Sequence, residues 1–366
     1  MPLSIGIVGL PNVGKSTLFN ALTKKGAETA NYPFCTIDPS VGVVTVPDER
    51  LYKLADFSKT QRTIPAIVEF VDIAGLVKGA SEGQGLGNKF LSNIRETDAI
   101  AEVVRIFEDS EIIHVDGRID PVHDIEVINM ELILADLQTV TNREQNIAKD
   151  VKRGDKLALK EDALVKKLRS LLESEKLANN LLLEDPEEQK IARQLNLLTM
   201  KPFLYILNKK AGGKNLDEMN DPRYEALLQR LSSMGARYVV VDARISEELN
   251  AFEGEERKQF ADELGVKDDG IDRLIKAGYD LLGLMTYFTT GVQETRAWTI
   301  KQRSTAPVAG MAIHTDFKDK FIRAEVINWK TLLDAGSFGV AREKGLVRTE
   351  GKEYIVEDGD VIEFKI

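Results

Sequence analysis

Apolar positions in the first 125 residues fall in short runs separated by amphipathic stretches. Residues 4–9 form a compact apolar run, and a helical pattern opens at Lys15. Residues 41–46 and 64–71, rich in β-branched side chains, predict strands; residues 87–95 predict a helix and residues 100–107 a further strand. Such alternation predicts an α/β fold, a mainly parallel sheet covered by helices. The rhythm resumes after residue 196, with strands expected at 203–207 and 238–241.

Something different lies between these blocks. Residues 126–195 contain no glycine except Gly154. Ile133, Leu137, Val140, Ile147 and Val151 follow three-and-four spacing before Arg153-Gly154-Asp155, as do Leu157, Leu164, Leu168 and Leu171 after it. An inserted antiparallel helical coiled coil with Gly154 near its tip is predicted. Its Lys, Arg, Asp and Glu of mixed sign suit a solvated surface, or else a docking lever. From residue 284 the pattern shortens to strands at 298–301, 324–327, 354–356 and 361–366, the last two expected to form a hairpin around Asp358-Gly359. Three domains follow: 1–125 with 196–283, the arm 126–195, and a small α+β domain at 284–366.

At 366 residues, 43% hydrophobic and 30% charged with 11 prolines, the chain is folded rather than disordered. The single cysteine, Cys35, excludes an internal disulfide and any cysteine-cluster metal centre, and fits a reducing compartment. No run reaches about 18 apolar residues, so a cytoplasmic chain without a membrane anchor is expected. A net charge of −10 argues against binding nucleic acid through overall charge, though one basic face could still do so.

Gly9-Leu-Pro-Asn-Val-Gly14-Lys15-Ser16 matches G-x-x-x-x-G-K-S between a strand and a helix, the context in which that pattern binds nucleotide phosphates. The backbone N–H groups from Asn12 through Thr17, including those of Val13 and Gly14, would converge on phosphate oxygens, and Lys15 would supply charge to the β and γ groups. Ser16 is the candidate direct Mg²⁺ ligand. In Val71-Asp72-Ile-Ala-Gly75, Asp72 is placed to hold Mg²⁺ through water and Gly75 to offer its N–H to a γ-phosphate. Thr36, in the intervening loop, would complete the metal shell when a triphosphate is bound. Cys35 beside it reads as a small apolar residue, or as a redox-sensitive one.

Two departures from a guanine-nucleotide switch stand out. After Gly75, where a water-orienting glutamine is often found, the chain has Leu76; His114, in the loop after the 100–107 strand, is the candidate replacement, a bland packing role being the alternative. Asn208-Lys-Lys-Ala211 resembles N-K-x-D with its guanine-accepting carboxylate missing. Asn208 remains, and an amide can pair with adenine. Residues 241–244 would offer backbone contacts to the base.

Together, the phosphate loop, the 31–38 loop, Asp72-Ile-Ala-Gly75-Leu76 with its glycine-rich continuation, the inserted hairpin and the tail resemble the YchF/Obg-like ATPase family across nearly the whole chain. The resemblance implies a TRAFAC-class P-loop domain with an inserted coiled coil and a ubiquitin-like TGS domain at the C-terminus. It implies ATP preferred over GTP, Mg²⁺ dependence, and association with the ribosome or its large subunit in translation or stress regulation, with RNA contact through arm or tail. Lys15, Ser16 and Thr36 then take the phosphate and metal roles, and Asn208 the base role. Members commonly end the N-x-x-E element in glutamate, where this chain has Ala211. Asn12 is a further candidate, as a K⁺ ligand. A slow ATPase is the leading reading, beside a nucleotide-sensing module without useful turnover and a GTP-binding switch.

Overall fold

The computed structural model describes residues 3–25, 40–73, 86–109, 119–252, 254–264, 266, 268 and 270–366. In chain order, β1 (Ser4–Val8) leads into α1 (Lys15–Lys25), followed by β2 (Val41–Thr45), α2 (Glu49–Ser58), β3 (Arg62–Ile64) and β4 (Ile67–Asp72). Then come α3 (Leu86–Glu96), β5 (Ala99–Arg105), β6 (Phe107–Glu108), and the long pair α4 (Pro121–Lys152) and α5 (Lys156–Glu173). α6 (Pro186–Leu195), β7 (Phe203–Asn208), β8 (Lys214–Asn215), α7 (Pro222–Ser233), β9 (Arg237–Val241), α8 (Ala243–Leu249), α9 (Gly254–Glu263) and α10 (Ile271–Leu281) complete the first two-thirds. Beyond them run β10 (Leu284–Thr290), β11 (Glu294–Lys301), α11 (Ala306–Gly310), α12 (Asp316–Asp319), β12 (Arg323–Asn328), α13 (Trp329–Ala335), α14 (Phe338–Glu343), β13 (Arg348–Glu350) and β14 (Asp360–Lys365).

A six-stranded sheet takes the order β2-β4-β1-β5-β7-β9. β1 pairs in parallel with β4 (Ser4 opposite Glu69) and β5 (Ile5 opposite Ala99), and β7 continues the parallel run with β9 (Leu204 opposite Arg237). All seven residues of β5 and all six of β7 are buried, the continuous apolar texture of strands covered on both faces. The register brings Val8, Asp72, Arg105, Asn208 and Val241 to one carboxyl edge.

By proximity the described chain forms two compact units, and their limits differ from the expected three domains. Residues 43–68, expected in the nucleotide-binding part, group with 275–366; the arm groups with the remainder of the chain. Within the second unit the reason is visible. β3 extends the sheet β13-β12-β14-β10-β11-β3, pairing Thr63 with Thr295. Arg50 of α2 donates to the carboxylates of Asp48 (2.7 Å) and Asp358 (2.5 Å) and stacks over Phe288 at 5.2 Å.

Three local expectations are corrected. Pro65 carries no N–H for a ladder, so the expected single strand at 64–71 is two, β3 and β4. Residues 354–356 make only an isolated bridge, Thr305 with Ile355, so no hairpin forms at Asp358-Gly359. Asp358 instead accepts from the Thr286 N–H at 3.0 Å, and β14 pairs with β12 and β10. In the arm Leu157 is 66% exposed, and Ala158, Leu164, Val165, Leu168 and Leu172 form the buried stripe of α5. The hairpin itself is as expected: Gly154 turns the chain with φ of 80°, and Arg143 grips Glu161 through two hydrogen bonds of 2.6 and 3.0 Å. No described helix is long and apolar enough to cross a membrane.

Candidate nucleotide-binding site

β1 ends in the phosphate-loop sequence and α1 begins at its lysine. The loop needs left-handed backbone at two points, Asn12 (φ 64°) and Gly14 (φ 97°). At Gly14 no other residue fits, because a Cβ would come within 2.3 Å of the Asn208 amide nitrogen. The Gly14 carbonyl accepts from Leu18 N–H at 2.9 Å and starts the helix. Val13 is buried, Ser16 and Asn12 are exposed, and Thr17 is half-buried.

Lys15 is 9% exposed, and its Nζ donates to the Leu10 carbonyl at 2.7 Å. Burial draws its pKa down to about 8, opposed by the negative field of Asp72. Asp72 closes β4, and burial raises its carboxyl pKa while Lys15 lowers it. A buried cation held by one carbonyl, beside an exposed hydroxyl at a helix N-terminus and a carboxylate at a strand end, has the chemistry that would suit a polyanion accompanied by a hard cation. Ser16 and Asp72 supply the oxygen donors such an ion takes.

Asn208 also has a structural role. Its Nδ2 donates to the Val13 carbonyl at 2.9 Å, and its Oδ1 accepts from Ala243 N–H at 3.1 Å. At 4% exposure the amide must satisfy both ends within the protein. It ties the phosphate loop, the 208–211 turn and the 241–244 loop together, using one of its two N–H groups and one of its two oxygen lone pairs. Gly75, Thr36, Cys35, Leu76 and His114 lie outside the described residues.

Several residues escaped the sequence reading, Arg105 and Asp242 at this edge and Asp136 away from it. Arg105, 1% exposed, donates Nε to the Phe107 carbonyl at 3.0 Å and stacks on that ring at 4.5 Å, bracing the chain just before residues 110–118. Asp242 is buried beside Ala211 and caps α8, accepting from Ile245 N–H at 3.0 Å. An aspartate directly before a helical pattern is a cap signal, and it could have been read at 242. On α4, fully buried Asp136 accepts from Leu198 N–H (2.9 Å), Thr199 N–H (2.7 Å) and the Thr199 hydroxyl (2.7 Å), pinning the arm's root to the segment that enters β7.

This strand, phosphate loop and helix on a parallel sheet define a P-loop nucleoside-triphosphate-binding protein. Residues 4–143 match the MMR_HSR1 family model, described as 50S ribosome-binding GTPase, and residues 284–366 match YchF-GTPase_C, described as a protein of unknown function (DUF933). The chain belongs to the YchF family: it is 52% identical over 369 residues to the ribosome-binding ATPase YchF of Bacillus subtilis (strain 168), covering 100% of this chain and 99% of that one. It is 50% identical to the protein of the same name from Haemophilus influenzae, again covering 100% and 99%. The solved YchF GTPase of Schizosaccharomyces pombe superposes with a TM-score of 0.88 at 38% identity, covering 99% of this chain and 97% of that one.

Proposed function

We propose that the chain is a slow, Mg²⁺-dependent ATPase whose nucleotide state governs its association with the ribosome or the large subunit in the cytoplasm, in translation or stress regulation. The observation that carries the reading is Lys15, a nearly buried ammonium held by a loop carbonyl at the carboxyl edge of the sheet. Relatives named ribosome-binding ATPase support ATP as the nucleotide, with GTP binding more weakly.

In this reading the phosphate loop binds the triphosphate through its backbone N–H groups, and Lys15 exchanges the Leu10 carbonyl for β and γ oxygens. Ser16, Asp72 through water, and Thr36 would hold Mg²⁺, which when bound offsets charge on the transferred phosphoryl group. Gly75 donates to the γ-phosphate. His114 orients the attacking water in place of the side chain that Leu76 cannot provide, and turnover is slow for that reason. Asn12 is proposed as a ligand for K⁺, and equal turnover in KCl and NaCl would remove that role. RNA contact is proposed for the arm and the C-terminal domain.

Phosphate release from ATP by the full chain tests the enzyme reading. Slow release by the wild type, falling at least about tenfold in His114→Ala with ATP affinity unchanged, is expected for a general water-positioning group. No ATP-dependent release would leave the chain a nucleotide-sensing module.

A further inference from the structure

Ala211 leaves the 208–211 turn without the carboxylate that commonly reads the base at this place, and Asn208 gives one N–H to Val13 and accepts from Ala243. The neighbouring loop nevertheless brings an acid to the same spot. Lys209 N–H donates to the Val241 carbonyl at 2.9 Å, which lays residues 241–243 along the turn. Asp242, 4% exposed, stands against Ala211; burial raises its carboxyl pKa, opposed by the nearby N–H groups of Ile245, Ala211 and Arg244, of which that of Ile245 makes a hydrogen bond of regular geometry. Its Oδ1 accepts from Ile245 N–H at 3.0 Å, while its Oδ2 makes no hydrogen bond.

Lys209 lends that carboxylate a favourable field, but neither nearby cation pairs with it directly. Lys209 Nζ pairs with Glu218 at 3.0 Å, and Arg244 Nε with Glu248 at 3.1 Å. A buried carboxylate oxygen without a donor costs free energy, and a ligand N–H placed against it would recover that cost. The donor available at a base pocket is the exocyclic amine of a purine.

We propose that Asp242 supplies the acceptor that position 211 lacks and takes a hydrogen bond from the 6-amino group of adenine, so that base choice is set from the 241–244 loop. The inference rests on the ATP-binding reading above. A carboxylate also accepts from the N1–H and 2-amino groups of guanine. GTP is therefore tolerated, within about tenfold of ATP.

Calorimetric titration of the nucleotide-free full chain with non-hydrolysable forms of ATP, GTP and purine riboside triphosphate, which lacks the 6-amino group, decides the matter. The wild type should bind the ATP form about tenfold tighter than the deaminated one. In Asp242→Ser, which keeps a helix-capping oxygen and removes the second acceptor, that ratio should fall to about twofold or less. Equal binding of ATP and deaminated nucleotide by the wild type overturns the proposal even if the variant fails to fold, as does an unchanged ratio in a folded variant. Either result leaves ATP binding itself intact; binding of no triphosphate at all removes both this proposal and the reading beneath it.

Discussion

Lys15 is held in the phosphate loop against its own solvation. Burial draws its pKa from 10.5 to about 8, so below pH 8 the folded chain must charge a group that the unfolded chain keeps protonated more easily. That difference is on the order of 3 kcal/mol against folding at neutral pH, fading as pH rises from about 8 towards 10.5. A bound triphosphate answers the charge and removes the cost. Lys15→Met is therefore expected to stabilise the ligand-free chain by about 1–2 kcal/mol, after loss of the Leu10 hydrogen bond, and to abolish stabilisation by ATP. Thermal melts with and without Mg-ATP check both signs; a destabilised variant that still responds to ATP would contradict them. For the wild type, ATP affinity should fall by about tenfold between pH 7 and 9, as free Lys15 loses its proton above its lowered pKa.

At the scale of elements, long-range polar ties hold the arm's root as firmly as the seam holds its shaft. Asp136 sits on an otherwise apolar-facing stretch of α4 and satisfies two backbone N–H groups and a hydroxyl from residues 198–199. Asp136→Ala leaves these donors buried and unpaired, and should cost about 3 kcal/mol in urea unfolding; a loss below about 0.5 kcal/mol would mean that the root relaxes freely. Arg50→Ala should lower the unfolding midpoint of the full chain by removing the links to Asp48 and Asp358 and the cover over Phe288. The phosphate loop, the parallel strands and the hairpin were legible because each rests on local periodicity or on glycine spacing. Asp136, Arg105 and the allegiance of residues 43–68 were not, since those depend on partners about 60 to 310 residues away or on burial that a single sequence does not display. Leu157 failed as a seam position because its neighbour Ala158 takes the buried place in that turn and leaves Leu157 on the outer face. Asn208 was found, but its ties to Val13 and Ala243 were not, since both partners lie far off in sequence or in another loop.

For the molecule as a whole, a net charge of −10 gives no general attraction to a ribonucleoprotein particle, so the association proposed above would rest on local faces. The outer arm carries its own ion pairs between α4 and α5, Arg143 with Glu161 and Arg169 with Glu144 at 2.7 Å, which pair off part of its charge. Replacing residues 144–169 by a short turn leaves the Asp136 anchor in place, and co-sedimentation with ribosomes should be lost while ATP binding persists. Pelleting unchanged by that deletion would move the contact away from the arm. The central claim, that the loop around Lys15 binds a nucleoside triphosphate, is tested most directly by titrating nucleotide-free full chain with a non-hydrolysable ATP analogue in Mg²⁺. Saturable one-site binding in the wild type and none in Lys15→Met is the predicted result; absence of binding in the wild type, or equal binding in the two proteins, would contradict it.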